Sequence, residues 1–287
     1  MSINLELRNK KYNSLKKQLN YYNLSDYSKI IVYGEKSQKL INTLSIRNID
    51  NIKTRSFFTI LMNKNKFIDE VIIISLSKLK YLIISQSPIT YKILNKLSKT
   101  QFPSTSVSLI NNLFIYSLHG DLSIVDESKN IFSVSHQGYN YKIFLSENIK
   151  LLETKYPNIF KLSVDYYKLF LYNNNVIINF NIKNKRLRLN VIKAVYSADN
   201  CKFKCKPLLI SIKQFESTLN FIPVKNSIIY DVNNNKIGIL YNYFRLRNKK
   251  YPFIIAIIKK YSLFKYVYII DKLSKNKIIL KYRPIYN

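Results

Sequence analysis

The sequence predicts an α+β protein of about two domains, with a small all-β, barrel-like domain at its C-terminal end. Strand patterns and amphipathic helical patterns alternate through the first two thirds of the chain. After Lys206 the pattern changes to short strands separated by asparagine clusters, with almost no helical periodicity. The 287 residues are 47% apolar, enough to build a sizeable core. We therefore predict a helical extension over residues 1–25, an α+β core over 26–200 and the barrel-like domain over 201–287.

The first elements of the core follow from turn residues and hydrophobic periodicity. Gly34 ends a strand pattern, Pro88 suits the first turn of a helix that runs to about Leu97, and asparagines or polar residues separate the strands. In order, these predictions are a strand at Lys29–Val32, a helix at Glu35–Leu44, and strands at Phe57–Met62, Phe67–Ile74 and Tyr81–Ser85.

The later elements are mostly strands. Asn111–Asn112 between two strand patterns predicts a hairpin, and Gly138 lies between another pair. Residues 146–175 are partly helical, with Pro157 interrupting the pattern. The strand predictions are Val107–Ile110, Phe114–Leu118, Phe132–Val134, Tyr139–Leu145, Val176–Phe180 and Leu187–Val195.

The charge balance is the strongest functional signal in the sequence. The chain has 47 Lys and Arg against 16 Asp and Glu, a net charge of +31. Such charge repels itself in the compact state, and a polyanion relieves that repulsion by releasing counterions. Residues 200–287 hold 18 of these cations and three acids, with aromatic residues between them, which suits phosphate contact and base stacking. The predicted nucleic-acid-binding residues are Lys183, Lys185, Arg186, Arg188, Lys202, Lys204, Lys206, Arg245, Arg247, Lys249 and Lys250.

Other interpretations of the charge stay open. The cations are also compatible with a solvated basic surface, or with contact to an anionic membrane surface; no apolar run reaches the length of a membrane span. The basic N-terminus fits either a weak organelle-targeting segment or an exposed first helix. Cys201 and Cys205 lack a second pair of ligands nearby, so we predict no metal site, and they form no disulfide framework. His119 and His136 are expected to be structural.

Several segments carry a family resemblance in their order and spacing. They include Leu24–Leu44, with a strand, Gly34 and a helix, and Leu61–Ile74, with the tandem acids Asp69 and Glu70. The others are Phe114–Ser123, ending its strand at Gly120, then Ser135–Leu145, Leu187–Ser197, Lys236–Ile258 and Ile278–Tyr286. Together they resemble the glycine-cleavage T-protein (aminomethyltransferase) superfamily, which also contains folate-binding iron–sulfur assembly proteins.

The resemblance implies a T-protein-like folate-binding fold, a tetrahydrofolate cofactor, and either aminomethyl transfer or iron–sulfur cluster assembly. It places the acid–base carboxylate at Asp69, for which the alternative is an acid at the hairpin edge that aids solubility. It places the folate site at Asn190 and Tyr139. Asn190 stands where the family has a pterin-binding glutamate, and a neutral amide cannot make the same charge-assisted pair. The assembly branch's Lys-Gly-Cys-Tyr signature is absent, so we expect a degenerate site without cofactor.

The leading hypothesis is a non-catalytic, RNA-contacting structural component of a mitochondrial ribosome, built on a degenerate T-protein fold. Its partners would be ribosomal proteins and ribosomal RNA, and it would recognise the RNA by its shape and backbone. The alternative is a folate-dependent aminomethyltransferase or an iron–sulfur cluster assembly factor. A third hypothesis is a peripheral protein at an anionic membrane surface.

Overall fold

The computed structural model describes residues 14–51, 54–63, 66–126, 128–136, 139–148, 150–173, 210–217, 224, 227–244, 253–259, 266–270 and 276–282. These residues belong to two compact units, one up to residue 173 and the other from residue 210 onward. The domain boundary predicted near residue 200 lies outside the described residues. Within the described ranges, no helix is long and apolar enough to cross a membrane.

The first unit contains two five-stranded sheets. Its strands are β1 (Leu19–Asn23), β2 (Ser28–Gly34), β3 (Ser56–Asn63), β4 (Lys66–Ser77), β5 (Lys80–Ser85), β6 (Thr105–Leu109), β7 (Phe114–Gly120), β8 (Ile131–His136), β9 (Tyr139–Ser146) and β10 (Phe160–Lys161). One sheet has the order β3-β4-β5-β2-β6 and the other β10-β1-β7-β9-β8. Neighbouring strands are antiparallel except β1 and β10, which are parallel.

Helices in the first unit follow the apolar periodicity of the sequence. Within the described residues they include α1 (Ser37–Leu44), a short 3₁₀ helix (Ile49–Asn51), α2 (Pro88–Gln101), α3 (Leu151–Lys155) and α4 (Val164–Asn173). Leu40, Ile41 and Leu44 of α1 and Leu94 of α2 are buried in one core with the inner residues of the first sheet. Pro88 occupies the first turn of α2, and the Ser87 hydroxyl accepts from the Ile89 amide at 3.3 Å.

Two glycines in the segments that carry the resemblance, Gly34 and Gly120, adopt backbone angles that other residues rarely adopt. Gly34 ends β2 at φ +130°, and Gly120 ends β7 at φ +87°. A Cβ at Gly34 would overlap the Ser104 carbonyl oxygen, and one at Gly120 would overlap the Gln18 carbonyl oxygen. Glycine is therefore required at both positions, since other residues rarely adopt these φ angles and have no space for a side chain.

The second unit is a six-stranded barrel. Its strands are β11 (Ile210–Ser217), β12 (Ile228–Tyr230), β13 (Lys236–Phe244), β14 (Phe253–Lys259), β15 (Tyr266–Ile270) and β16 (Lys277–Tyr282). They pair in the order β11-β14-β13-β12-β15-β16, and β11 also pairs with β16, which closes the ring. Side chains alternate along each strand, so one set of apolar residues, including Phe215, Leu240 and Ile269, fills the interior.

The α+β class is confirmed, but the expected helical segment over residues 1–25 differs from the structure. Leu19–Asn23 forms β1, a strand inside the second sheet, while residues 1–13 lie outside the described ranges. Leu19 and Tyr21 are buried on one face of this sheet, and β1 exchanges backbone hydrogen bonds with β7. Tertiary pairing therefore overrides a local preference that is weak in itself.

The hairpin predicted at Asn111–Asn112 is wrong. β6 pairs with β2 in the first sheet, whereas β7 pairs with β1 and β9 in the second, so the two asparagines connect different sheets. Turn residues report a local change of direction and carry no information about which strands pair afterwards. The prediction that Phe132–Val134 and Tyr139–Leu145 pair is confirmed by β8 and β9.

Candidate functional site

Asp69 lies on β4 and is buried, with 8% of its surface exposed. Its Oδ2 atom accepts hydrogen bonds from the Ser85 hydroxyl, from the Ser87 backbone amide at 3.0 Å and from the Thr90 hydroxyl at 3.4 Å. Val71 is opposite Ser85 in the β4–β5 register, which brings Asp69 beside the start of α2. A carboxylate is favoured there by the amides and dipole of the helix N-terminus.

These contacts define what Asp69 does in the fold. It ties the end of β5 to the first turn of α2 through donors on Ser85, Ser87 and Thr90. The alternative interpretation of Asp69, as an acid at the hairpin edge that aids solubility, is wrong, because the side chain is buried and hydrogen-bonded. A general acid or base must also reach a substrate proton, and Oδ2 is already occupied by intramolecular donors.

Tyr27, in the turn before β2, lies near Asp69. Its hydroxyl accepts a hydrogen bond from the Gln86 side-chain amide, next to the start of α2. Burial raises the pKa of Tyr27 to about 12, and the negative charges of Glu70 and Asp69 contribute to the increase. The phenol is therefore neutral at physiological pH and available as a hydrogen-bonding group rather than as an anion.

His119, on β7, is fully buried and hydrogen-bonded through both ring nitrogens. Nδ1 lies 2.8 Å from the Tyr139 hydroxyl and Nε2 lies 3.0 Å from the Ser117 hydroxyl. Burial lowers the pKa of His119 to about 3, so the ring is neutral at pH 7. The Ser117 hydroxyl donates to the Tyr22 carbonyl at 3.3 Å, so it accepts from Nε2–H, and Nδ1 accepts from Tyr139.

Aromatic rings surround His119. The ring centroids of Tyr139, Tyr141, Tyr167 and Phe170 lie between 5.3 and 6.0 Å from its own. Burial raises the pKa of Tyr141 and of Tyr167 well above the usual tyrosine value, and the neighbouring phenols contribute. Tyr22 stacks on Tyr167 at 4.0 Å. Tyr141 and Tyr167 could not be singled out from the sequence, because isolated tyrosines in a chain with 24 of them give no spacing signal.

His136 also has a structural position. Its ring stacks on Phe58 at a centroid distance of 3.4 Å, where β8 of one sheet lies beside β3 of the other. The Ser56 hydroxyl donates to the Ser133 carbonyl at 2.6 Å across the same junction. Burial lowers the pKa of His136, and the positive charge of Arg47 adds to this. Both histidines are thus buried within packed surroundings, in agreement with the structural role expected for them.

The predicted site residues are only partly described. Asp69 and Tyr139 belong to the first unit, whereas Asn190 and both predicted basic clusters lie outside the described residues. Those predictions therefore stay predictions. Where the structure does describe the chain, no group of three or more His, Cys, Asp or Glu could hold a metal ion.

The structure adds a basic stripe on α2 to the residues predicted from the sequence. Lys92, Lys96 and Lys99 are spaced by one helical turn and are all exposed. The sequence of α2, Pro88–Gln101, contains no acidic residue. The spacing of the three lysines by four and three positions is the signal in the sequence that indicates this surface.

Comparison with known proteins identifies the fold. No protein-family profile matches the sequence, and no curated protein matches it. Among solved structures, one of an aminomethyltransferase is similar to this chain and indicates a T-protein-like fold. The structure concerned is the crystal structure of glycine cleavage system aminomethyltransferase T from Bartonella henselae, with a TM-score of 0.66 and 12% identity, over 96% of this chain and 88% of that chain. At this identity the likeness shows the fold alone.

Tyr139, expected at the folate site, and Asp69, expected as the acid–base carboxylate, are both hydrogen-bonded within the fold. The Tyr139 hydroxyl contacts His119, and Oδ2 of Asp69 accepts from the start of α2. A pterin needs hydrogen-bonding partners in its pocket, and these two groups would have to exchange their present contacts to supply them. Asn190, the other residue expected at the folate site, lies outside the described residues, so the state of this site stays a prediction.

Proposed function

We propose that the protein is a non-catalytic RNA-contacting component built on a T-protein-like fold, with ribosomal RNA and ribosomal proteins of a mitochondrial ribosome as its partners. The observation that carries the proposal is the net charge of +31, from 47 Lys and Arg against 16 Asp and Glu. Binding to a polyphosphate backbone neutralises such charge and gains free energy from counterion release.

The described surface supports a polyanionic partner. Lys92, Lys96 and Lys99 form an exposed stripe on α2 that no acid of the same helix neutralises. Three lysines about one helical turn apart follow a line on the surface, which suits contact with successive phosphates rather than with a single small anion.

The environment of Asp69 supports the absence of catalysis. Its carboxylate is buried and serves as an acceptor for Ser85, Ser87 and Thr90. An acid used in this way stabilises the connection between β5 and α2, and this structural role accounts for its presence without an activity.

The salt dependence of RNA binding tests the proposal. For the purified full-length chain, log Kobs against log[salt] should be linear, with a slope of about −0.7 to −0.9 per phosphate neutralised. Replacing Lys92, Lys96 and Lys99 by Gln should make the slope less steep by about 2. The matched control replaces three exposed lysines elsewhere, Lys78, Lys80 and Lys129. A salt-independent affinity, or no RNA binding, would contradict the proposal.

The location and the predicted basic clusters need their own measurements. The native protein should sediment with mitochondrial ribosomal particles and leave them at high salt, because the contact is electrostatic. Glutamine at Arg245, Arg247, Lys249 and Lys250 should weaken RNA binding at every sequence to a similar extent, as expected of phosphate contacts. Sedimentation with anionic liposomes in the absence of RNA would favour the membrane-surface hypothesis instead.

The second candidate function is folate-dependent aminomethyl transfer or iron–sulfur cluster assembly. The observation that favours it is the likeness of the fold to an aminomethyltransferase, together with a buried carboxylate at Asp69. Tetrahydrofolate binding by the wild-type protein, lost in Asp69→Asn while the fold is retained, would support this candidate. Unchanged binding of tetrahydrofolate by Asp69→Asn would show that Asp69 does not contribute to the binding site.

A further inference from the structure

The outer surface of the barrel carries apolar side chains where a solvated barrel has polar ones. Residues alternate along each strand, so that Ile229, Val267, Ile269, Ile278 and Leu280 face the interior. Four of the outward positions on β12, β15 and β16 are apolar or aromatic and are 38% to 49% exposed: Ile228, Tyr266, Ile270 and Ile279. We call the surface formed by the outward residues of these three strands the β12–β15–β16 face. Exposed apolar residues grouped in this way mark interaction sites.

An aromatic row of Tyr230 and Tyr268 crosses this face, and Tyr268 is itself buried, with 8% of its surface exposed. Tyr230 of β12 is opposite Tyr268 of β15, and Tyr268 is opposite Ile279 of β16. The two tyrosine rings stack with centroids 5.3 Å apart and planes 15° from parallel. The Tyr268 hydroxyl donates to Asn234 Oδ1 at 2.5 Å, which fixes the orientation of the ring. The rings are therefore held in place before any partner arrives, which lowers the entropic cost of binding.

Lysines border the aromatic row. Lys277 Nζ lies 4.7 Å from the centroid of the Tyr268 ring and donates to Asn234 Oδ1 at 3.2 Å. Lys236 begins β13, next to β12, and its side chain is exposed. Lys281 is exposed on β16, although Glu216 of β11 is its partner in the register. The face thus combines aromatic rings at its centre with cations at its edges.

We propose that the β12–β15–β16 face binds single-stranded RNA, an inference that rests on the proposed RNA-contacting function. Bases stack on the exposed Tyr266 and on the half-buried Tyr230, whose ring stacks on the buried Tyr268, and phosphates contact Lys236 and Lys277. Unpaired bases stack on aromatic side chains of sheet surfaces, while a duplex keeps its bases inside. An apolar face alone would equally suit a protein. The flanking lysines and the net charge of +31 make it complementary to a polyanion.

The test compares full-length variants in binding to a single-stranded oligouridylate and to an RNA duplex of the same number of phosphates. Tyr266→Ala should weaken oligouridylate binding about tenfold, whereas Tyr266→Phe, which keeps the ring, should bind like the wild type. The matched control is Tyr33→Ala, since Tyr33 is an exposed tyrosine of β2 in the first unit. Duplex affinity should change less than twofold in Tyr266→Ala. Ultraviolet crosslinking of the bound oligouridylate should map to Tyr266 or its strand neighbours.

The outcomes separate this inference from the function on which it rests. If the wild type binds neither RNA, the proposed function and this inference both fail. If the wild type binds RNA and Tyr266→Ala, with an unchanged circular dichroism spectrum, binds equally well, this inference fails and the proposed function stands. A wild-type dimer that Ile279→Ala dissociates, with RNA affinity unchanged, would assign the face to a second copy of the chain and overturn the inference.

Discussion

Replacing His119 by Gln should remove a defined part of the acid sensitivity of the first unit. Burial lowers the pKa of His119 from 6.5 to about 3. Between these values the unfolded chain binds a proton that the folded chain does not. The free energy of unfolding therefore has its full value above about pH 6.5 and decreases as the pH falls towards 3. Proton uptake by the unfolded histidine therefore lowers the free energy of unfolding by about 2 kcal/mol between pH 7.5 and pH 5.0.

Glutamine suits this position because its amide can donate to Ser117 and accept from Tyr139, as the neutral imidazole does. The free energy of unfolding would be measured by urea denaturation at pH 7.5 and 5.0. Circular dichroism would follow the transition, and hydrogen exchange of the backbone amides in β7 and β9 would show that the unfolding being measured is that of the first unit. Between the two pH values, the free energy of unfolding of His119→Gln should decrease by about 2 kcal/mol less than that of the wild type.

His136→Gln provides the comparison, since burial also lowers the pKa of His136 and its replacement should reduce the acid sensitivity as well. The double variant should then be the least sensitive of the four proteins. Equal losses of stability in the wild type and in His119→Gln between pH 7.5 and 5.0 would refute the assignment of a buried neutral His119.

Two further changes test the fold by stability measurements. Gly120→Ala should destabilise the first unit by more than about 2 kcal/mol in urea denaturation, because φ is +87° and a Cβ would overlap the Gln18 carbonyl; a near-neutral effect would contradict this account of the turn. Asp69→Ala should destabilise by about 2 kcal/mol, because donors at the start of α2 lose their acceptor. Asp26→Ala, at an exposed position, is the control, and equal effects of the two would show that Asp69 does not support α2.

Much of the fold could be predicted from local patterns. The strand–glycine–helix order through Gly34, the helix beginning at Pro88 and the pairing of β8 with β9 all follow from turn residues and periodicity. The assignment of β6 and β7 to different sheets could not be predicted, because it depends on contacts between residues distant in the sequence. The strand Leu19–Asn23 was missed for the same reason: its partner β7 lies about a hundred residues further along the chain.

The candidate site shows the same division. The sequence singled out Asp69, and its chemistry suggested an acid or a solubility role. Only the structure shows that its carboxylate meets the start of α2, since Ser87 and Thr90 approach it through the β4–β5 register. The row of Tyr230 and Tyr268 likewise arises from a strand pairing that no spacing in the sequence reveals.

By itself the sequence determined the local and composition-dependent properties of this protein: its α+β class, its net charge and the turns that end many of its strands. These depend on residue type and on neighbours a few positions away. Tertiary structure decided which strands pair, which tyrosines surround His119 and which apolar residues remain on the outside of the barrel. The physical reason is that pairing and burial are set by the summed free energy of contacts between distant segments, which no local pattern contains.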